Sequence, residues 1–434
     1  MSLESPTKVR DLQQSLARKS KSEPRYRFGS LYDKVYRMDV LKEAWRKVKA
    51  NRGSSGVDGV TLEAIEESGV EGFLLALQTE LKAHAYRPQA LRRVYIPKAS
   101  GGQRPLSIPT VRDRVVQQAV RMIVEPIFEV RFSPASFGFR PGRGAQQAVK
   151  EVEMLMNWGL VQVIETDIQD CFGTIPHQAL MKKLARRIVD GQILKLIRQW
   201  LKCGVMEDGQ ERSPVAGTPQ GGVISPLLAN VYLDGFDHIW AKQKMSSRTG
   251  YNAHLVRYAD DLVILTDKSP KEPERLMRAT LEVLGLKPHP KKTRVLDARE
   301  GHYDFLGFNF RKRKNPRTGK WFTLVRPSQK AQQALKDKLR AVTAVHVNRK
   351  VGAVVEEMNP ILRGWVNYFR IGHSASVFNE VREYALSRVR RYVRRRQGKH
   401  GYGWKNLPNE FFYGNLGLFY GYQLIGRPTP AWRN

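Results

Sequence analysis

The sequence is short of cysteine, short of acid relative to base, and without a long apolar run. Only Cys171 and Cys203 occur in 434 residues, which excludes a disulfide framework, and no Cys-x-x-Cys pair exists to seed a cysteine-based structural zinc site. A reducing cytoplasm is the simplest setting. His346, His373 and His400 are isolated, so packing or surface roles are expected for them rather than zinc ligation. No run approaches the ~20 apolar residues of a membrane span. Residues 1–28 lack the apolar centre of a signal peptide. They are basic and serine-containing, as a transit peptide is, but Glu4, Asp11 and Glu23 argue against one. This segment is expected to be polar and mobile.

What is abundant is positive charge. The 74 Lys and Arg residues exceed the 41 Asp and Glu, for a formal net charge of +33. That excess is too large for an ordinary metabolic enzyme and predicts a polyanionic partner. No long amphipathic basic helix with a broad apolar face stands out, which favours nucleic acid over a membrane surface. Two or three domains are expected at about 100–200 residues each, and 41% hydrophobic content is enough for a sizeable core.

Apolar spacing predicts helices from Asp39, near Gly72–Ala85, from Val111 to Val124 with a stop at Glu125-Pro126, near 178–189, near 192–202 and near 272–285. A Gly/Pro loop at residues 217–226 feeds a helix expected through Leu233. Arg92–Pro97 and residues 161–168 read as strands. Residues 254–266 and 303–326 read as hairpins, the second turning at Asn315–Gly319. The chain from Pro327 is mainly helical and very basic. Helices mixed with short antiparallel strands indicate an α+β fold rather than a doubly wound sheet.

In so basic a chain, acids at strand ends stand out. Asp167 closes the run Val161, Val163, Ile164, and Asp260 and Asp261 sit at a hairpin tip. Turn chemistry alone can account for an Asp-Asp pair. Three carboxylates on rigid strand ends can also hold two Mg²⁺ ions, which prefer oxygen ligands and would activate a 3′-hydroxyl and stabilise a leaving pyrophosphate.

Tyr258-Ala259-Asp260-Asp261 resembles the catalytic box of reverse transcriptases. Asp167–Phe172 resembles the box before it, and Gly217–Asn230 the box between. Ser136–Arg143 upstream and Phe305–Phe308 downstream agree in order and spacing. Ala259, Pro219-Gln220-Gly221-Gly222 and Phe137–Arg143 narrow the resemblance to bacterial group II intron-encoded enzymes. Asn359–Phe369 resembles their maturase (thumb) segment, and Arg52–Thr61 their template-contacting extension loop. The resemblance spans roughly residues 30–425. It implies a right-hand polymerase: an N-terminal extension at 1–60, fingers and palm with an antiparallel sheet at 61–326, a helical thumb at 327–400 and a short basic appendage at 401–434. Many members end in an endonuclease domain with His and Cys ligands. The residues after His400 are too few for one, so its absence is expected.

The resemblance also implies roles. Asp167, Asp260 and the Ile168 carbonyl would bind metal, with Asp261 a ligand or an electrostatic supporter; Mn²⁺ could substitute for Mg²⁺. Lys98 and Arg104 would grip the triphosphate of a dNTP. Phe172 would crowd a 2′-hydroxyl, and Gln220 would support the nucleotide and templating base. Lys292 would donate a proton to pyrophosphate, with Lys291 the alternative. Arg52, Ser54, Phe305, Gly307 and Arg363 would contact primer or template, with Gly307 allowing close backbone approach. Arg388, Arg391 and Arg395 share a helix face by three- and four-residue spacing and would form a basic nucleic-acid face. The implied partners are group II intron RNA, an RNA template with a DNA or RNA primer, dNTPs and target DNA, with no membrane. The setting would be a bacterial cytoplasmic ribonucleoprotein that splices and retrohomes. A splicing maturase with a relic polymerase, and a domesticated enzyme of repair or phage defence, are the competing readings.

Overall fold

The computed structural model describes residues 7–97, 101–207, 210–212, 217–219, 221–247, 249–344, 349–403 and 406–425. His346 lies outside them. Five helices come first: α1 (Thr7–Ser22), α2 (Tyr32–Val35), α3 (Met38–Ala50), α4 (Leu62–Ser68) and α5 (Val70–Lys82). The hairpin β1 (Leu91–Pro97) and β2 (Gln103–Ile108) leads to α6 (Val111–Glu129) and α7 (Ala145–Asn157). Then come β3 (Gln162–Asp167), α8 (Cys171–Thr174), α9 (His177–Ala185), α10 (Gly191–Lys202), β4 (Val205–Glu207) and β5 (Gln210–Arg212). Helix α11 (Ser225–Lys242) precedes β6 (His254–Tyr258), β7 (Asp261–Thr266), α12 (Lys271–Val283) and β8 (Arg294–Asp297). Three strands, β9 (Tyr303–Phe305), β10 (Phe308–Lys314) and β11 (Trp321–Pro327), are followed by α13 (Gln329–Ala344), α14 (Val351–Phe369) and α15 (Ala375–Arg396).

The expected α+β architecture is present. The palm sheet has the order β6-β7-β3-β8 and is antiparallel throughout. Its strands read as continuous apolar runs because both faces are covered. Ile164, Leu262 and Ile264 face one core, which reaches from Val9 to Leu286. Their neighbours Val163, Val263 and Leu265 face another, which runs from Phe137 to Tyr422. The two-residue period of a strand divides the sheet between these cores. The thumb helices α13–α15 and the segment with Phe412, Leu418 and Tyr422 belong to the second core.

Three expectations are corrected. Residues 7–22 are helical, not mobile: Val9, Leu16 and Ser20 are buried against the first core, a narrow stripe hidden in the sequence by dense Lys and Arg. Helix α6 runs through Pro126 to Glu129. Proline has no N–H for the Met122 carbonyl, and the Gln13 amide of α1 donates to that carbonyl at 2.9 Å instead. Ser20 Oγ donates to the Ile127 carbonyl at 2.6 Å. Helix α11 runs to Lys242 rather than Leu233, because Phe236 and Trp240 continue its buried face past Gly235. No helix among the described residues is long and apolar enough to cross a membrane.

Candidate active site

The register of the palm sheet brings the acids together. Asp167, the last residue of β3, is the cross-strand partner of Asp261, the first of β7. The β6–β7 turn consists of Ala259 and Asp260, and the Ile168 amide donates to the Asp260 carbonyl at 3.2 Å. Next to it, the Asp167 carbonyl accepts from the His289 amide at 2.7 Å and the Gln169 amide donates to Lys287 at 2.9 Å. This pattern leaves the Ile168 carbonyl outside the ladder.

The turn is strained and held from behind. Ala259 has φ +58°, a left-handed value that L-residues seldom adopt. A Cβ at Gly138 would collide with the Ala259 amide, so the glycine permits this approach. Arg257 donates to the Ala259 carbonyl at 3.0 Å and to Asn230 Oδ1 at 3.2 Å. Its Nε is 2.9 Å from Asp237 Oδ1. Burial lowers the Arg257 guanidinium, but Asp237, joined by Asp234, more than offsets it and the value stands above the ordinary one. Asn230 Nδ2 donates to the Gly138 carbonyl at 2.8 Å. Arg257 and Asp237 escaped the sequence reading. The available signal was an arginine inside the apolar strand His254–Tyr258.

The acids are electrostatically unfavourable as they stand. Burial, then Asp167, raises Asp260 above the usual carboxylate range, while Arg104 and Lys292 oppose the shift. Burial, then Asp260 and Asp167, pushes Asp261 up to about 7. Lys292 Nζ pairs with Asp167 Oδ2, and that hydrogen bond raises the lysine above its ordinary value. Lys291 and Lys292 both line a cavity of about 400 Å³ beside Asp167 and Asp261. Lys292 is the one that reaches Asp167.

The remaining candidates surround this centre unevenly. Arg104 is exposed on β2, within electrostatic reach of Asp260. Lys98 and Gln220 lie outside the described residues. Two described glycines are closely approached: a Cβ at Gly217 would lie 2.7 Å from the Phe172 carbonyl oxygen, and one at Gly221 2.7 Å from that of Ser107. Phe172 is half-buried on α8, edge-on to Phe139 at 6.4 Å. Phe305 is buried, and Gly307 has φ +77° in the β9–β10 turn. Tyr368 of α14 donates its hydroxyl to the Leu306 carbonyl at 3.0 Å. Gln146 Nε2 donates to the Asn367 and Tyr368 carbonyls at 2.8 and 2.9 Å, fastening the thumb to the palm.

Arg52 and Ser54 are exposed in the loop after α3, where Arg92 donates to Ser54 Oγ at 3.3 Å and Arg114 to its carbonyl. Arg363 is exposed on α14, 5.9 Å from the Phe419 ring. The α15 arginines are largely engaged within the protein. Arg388 donates to Thr343 Oγ1 at 2.7 Å, Arg395 donates to the Thr343 carbonyl at 2.5 Å, and Arg391 lies over Tyr402 at 5.5 Å.

Residues 96–310 match the family described as reverse transcriptase (RNA-dependent DNA polymerase), and residues 332–408 match the group II intron, maturase-specific domain. Protein YkfC of Escherichia coli (strain K12) is 33% identical over 334 residues, covering 69% of this chain and 87% of that protein. The chain belongs to the group II intron reverse transcriptases. The group II intron-encoded protein LtrA of Lactococcus lactis subsp. cremoris is 37% identical over 221 residues, covering 50% of this reverse transcriptase and 36% of LtrA. An uncharacterized 91 kDa protein in the cob intron of Schizosaccharomyces pombe is 28% identical over 437 residues, covering 84% of this chain and 53% of that protein. The chain therefore spans about a third and about half of these two longer relatives. The family's enzyme class is RNA-directed DNA polymerase.

Reverse transcriptases act with divalent metal ions, and the donors here fit one. Carboxylates and a ladder-free carbonyl are hard oxygen ligands. Burial and mutual repulsion raise Asp260 and Asp261, the condition that a bound cation relieves. Among the described residues no three His, Cys, Asp or Glu side chains already stand as a ligand set, and Asp167 is turned to Lys292.

Proposed function

We propose that this reverse transcriptase copies an RNA template from a primer 3′-end at Asp167, Asp260 and Asp261, and that it binds a group II intron RNA to promote splicing and retrohoming. The observation that carries the reading is the register pairing of Asp167 with Asp261, beside the hydrogen bond from Ile168 to Asp260. Asp167, Asp260 and the Ile168 carbonyl would hold two Mg²⁺ ions, or Mn²⁺ in their place, with Asp261 as ligand or supporter. Bound there, the ions supply activation of the primer hydroxyl and stabilisation of pyrophosphate.

The protein's own groups supply the rest. Arg104 and Lys98 hold the triphosphate of the incoming dNTP, and Gln220 supports its base against the template. Lys292 leaves Asp167 when the site fills and delivers its proton to the departing pyrophosphate. Phe172, wedged against Phe139, excludes a ribonucleotide 2′-hydroxyl. Phe305 and Gly307 present their turn to the primer end, and Tyr368 fixes that turn through Leu306. Arg52 and Ser54 meet the template, and Arg363 meets the duplex. Arg388, Arg391 and Arg395 contribute field to the nucleic-acid face while fastening α15. The partners are intron RNA, template–primer, dNTPs and target DNA, in a bacterial cytoplasmic ribonucleoprotein.

Primer extension on an RNA template tests this. Asp260→Ala with Asp261→Ala is expected to lower the rate by at least about a thousandfold, several kcal/mol of transition-state stabilisation, with RNA affinity retained. Full extension by the purified double variant would refute the assignment.

A further inference from the structure

A cationic cavity exists besides the one that Asp167 and Asp261 line. It measures about 650 Å³ and opens between the ends of α6, α9 and α12 and the middle of α11. Its charged lining is Arg25, Arg131, Lys183, Arg186 and Arg187 against the single carboxylate of Asp234. That carboxylate's Oδ2 lies 3.1 Å from His238 Nδ1, and its Oδ1 is buried without a hydrogen-bond partner. Among the described residues, Arg25, Arg131, Lys183 and Arg186 form no ion pair. Arg187 is buried and donates to Ser20 Oγ at 2.8 Å, yet its Nε is buried without a hydrogen-bond partner.

The wall is shaped to accommodate the charge. A Cβ at Gly235 would collide with Lys183 Nζ, so the bare glycine lets this ammonium lie against α11. Burial, reinforced by Arg186, holds Lys183 below its ordinary value, and burial, reinforced by Arg131, does the same for Arg187. Five cations converging on one concavity repel one another, and a polyanion relieves that repulsion. Arg25, Arg131 and Arg186 are exposed around the rim while Lys183 is half-buried on the floor. A graded arrangement of this kind follows a phosphodiester strand, where arginine forks grip successive phosphates.

The lining of this cavity is distinct from that of the cavity beside Asp167 and Asp261, with no residue shared.

We infer that the cavity lined by Arg25, Arg131, Lys183, Arg186 and Arg187 is an RNA-backbone site, which holds phosphodiesters of a structured RNA while the catalytic cleft is occupied by template and primer. The inference rests on the RNA partner proposed above and adds where that partner is gripped.

The test uses the full-length protein, first loaded with a saturating short RNA-template/DNA-primer and then titrated with a fluorescein-labelled, blunt-ended RNA duplex. Arg131→Gln with Arg186→Gln is expected to weaken duplex binding about tenfold and to flatten the slope of log affinity against log salt by about 1.8, two phosphate contacts' worth. Primer extension on the short template should stay within about twofold, less than 0.5 kcal/mol of barrier. Arg131→Lys with Arg186→Lys, which keeps the charge, should recover most of the affinity and shows that the variants fold. Unchanged duplex affinity in the Gln variant overturns the proposal, as does an unmodified loaded protein that binds no duplex. A parallel fall in primer extension also overturns it, because the cavity would then lie on the template's path. If the unmodified protein does not polymerise at all, the functional reading fails, while selective loss of duplex binding would still support the cavity.

Discussion

Single residues decide how the aspartate turn is held. Arg257 and Asp237 are both fully buried, and their ion pair supports the Ala259 carbonyl directly. Breaking such a pair strands a charge in the interior. Arg257→Met is expected to destabilise the fold by about 3–5 kcal/mol in chemical denaturation, and Arg257→Met with Asp237→Leu to recover much of the loss. A smaller effect for the single variant would show that water reaches Asp237. Phe172 offers a second residue-scale prediction. Phe172→Ala should raise ribonucleotide incorporation at least about tenfold relative to dNTPs, the effect of removing roughly 1.4 kcal/mol of discrimination. Competitive incorporation assays measure this directly, and unchanged discrimination would leave Phe172 a packing residue for Phe139. Asp167, Asp260, Asp261 and Phe172 stood out as candidates in the sequence because they sit in short contiguous motifs, and the palm register brings the three acids together. The Arg257–Asp237 support was not, because an ion pair between β6 and α11 depends on a packing that local pattern does not encode.

At the scale of elements, α1 and α6 form one device. Pro126 removes the N–H that would satisfy the Met122 carbonyl, and Gln13 supplies a donor from another helix. Sequence reasoning ends a helix before a proline, correctly for an isolated segment. Here α1 stabilises the continuation. Gln13→Ala is expected to cost about 1–3 kcal/mol, because the carbonyl is left buried without a partner. In Pro126→Ala the backbone N–H returns, and the same Gln13→Ala change should then cost much less. A double-mutant cycle by thermal denaturation reads the difference, and additive effects would show that the Gln13 contact is incidental. The hairpin β6–β7 behaves oppositely. Its apolar strands and polar tip announced it in the sequence, and the turn stands between them as expected.

For the whole molecule, the charge of +33 predicts affinity that depends steeply on salt. With 6–10 phosphate contacts, RNA affinity should fall about 10³–10⁵-fold between 50 and 200 mM salt. Filter binding across a salt series checks this, and a flat profile would mean that the surplus cations are internal. Some of them are: Arg388 and Arg395 are drawn to Thr343 at the end of α13, where the sequence alone shows a uniform basic face. The sequence by itself determined the α+β character, and it pointed to a nucleic-acid partner and to candidate acids, since composition, two-residue and helical periods, and contiguous motifs are local properties. Only the tertiary structure decided which charges remain available. It put Asp167 opposite Asp261 across two strands far apart in the chain, tied Lys292 to Asp167, and gathered Arg25, Arg131 and Lys183 from three separate segments into one cavity. Pairing and burial of charge are properties of packing between distant segments, and no stretch of sequence carries them alone.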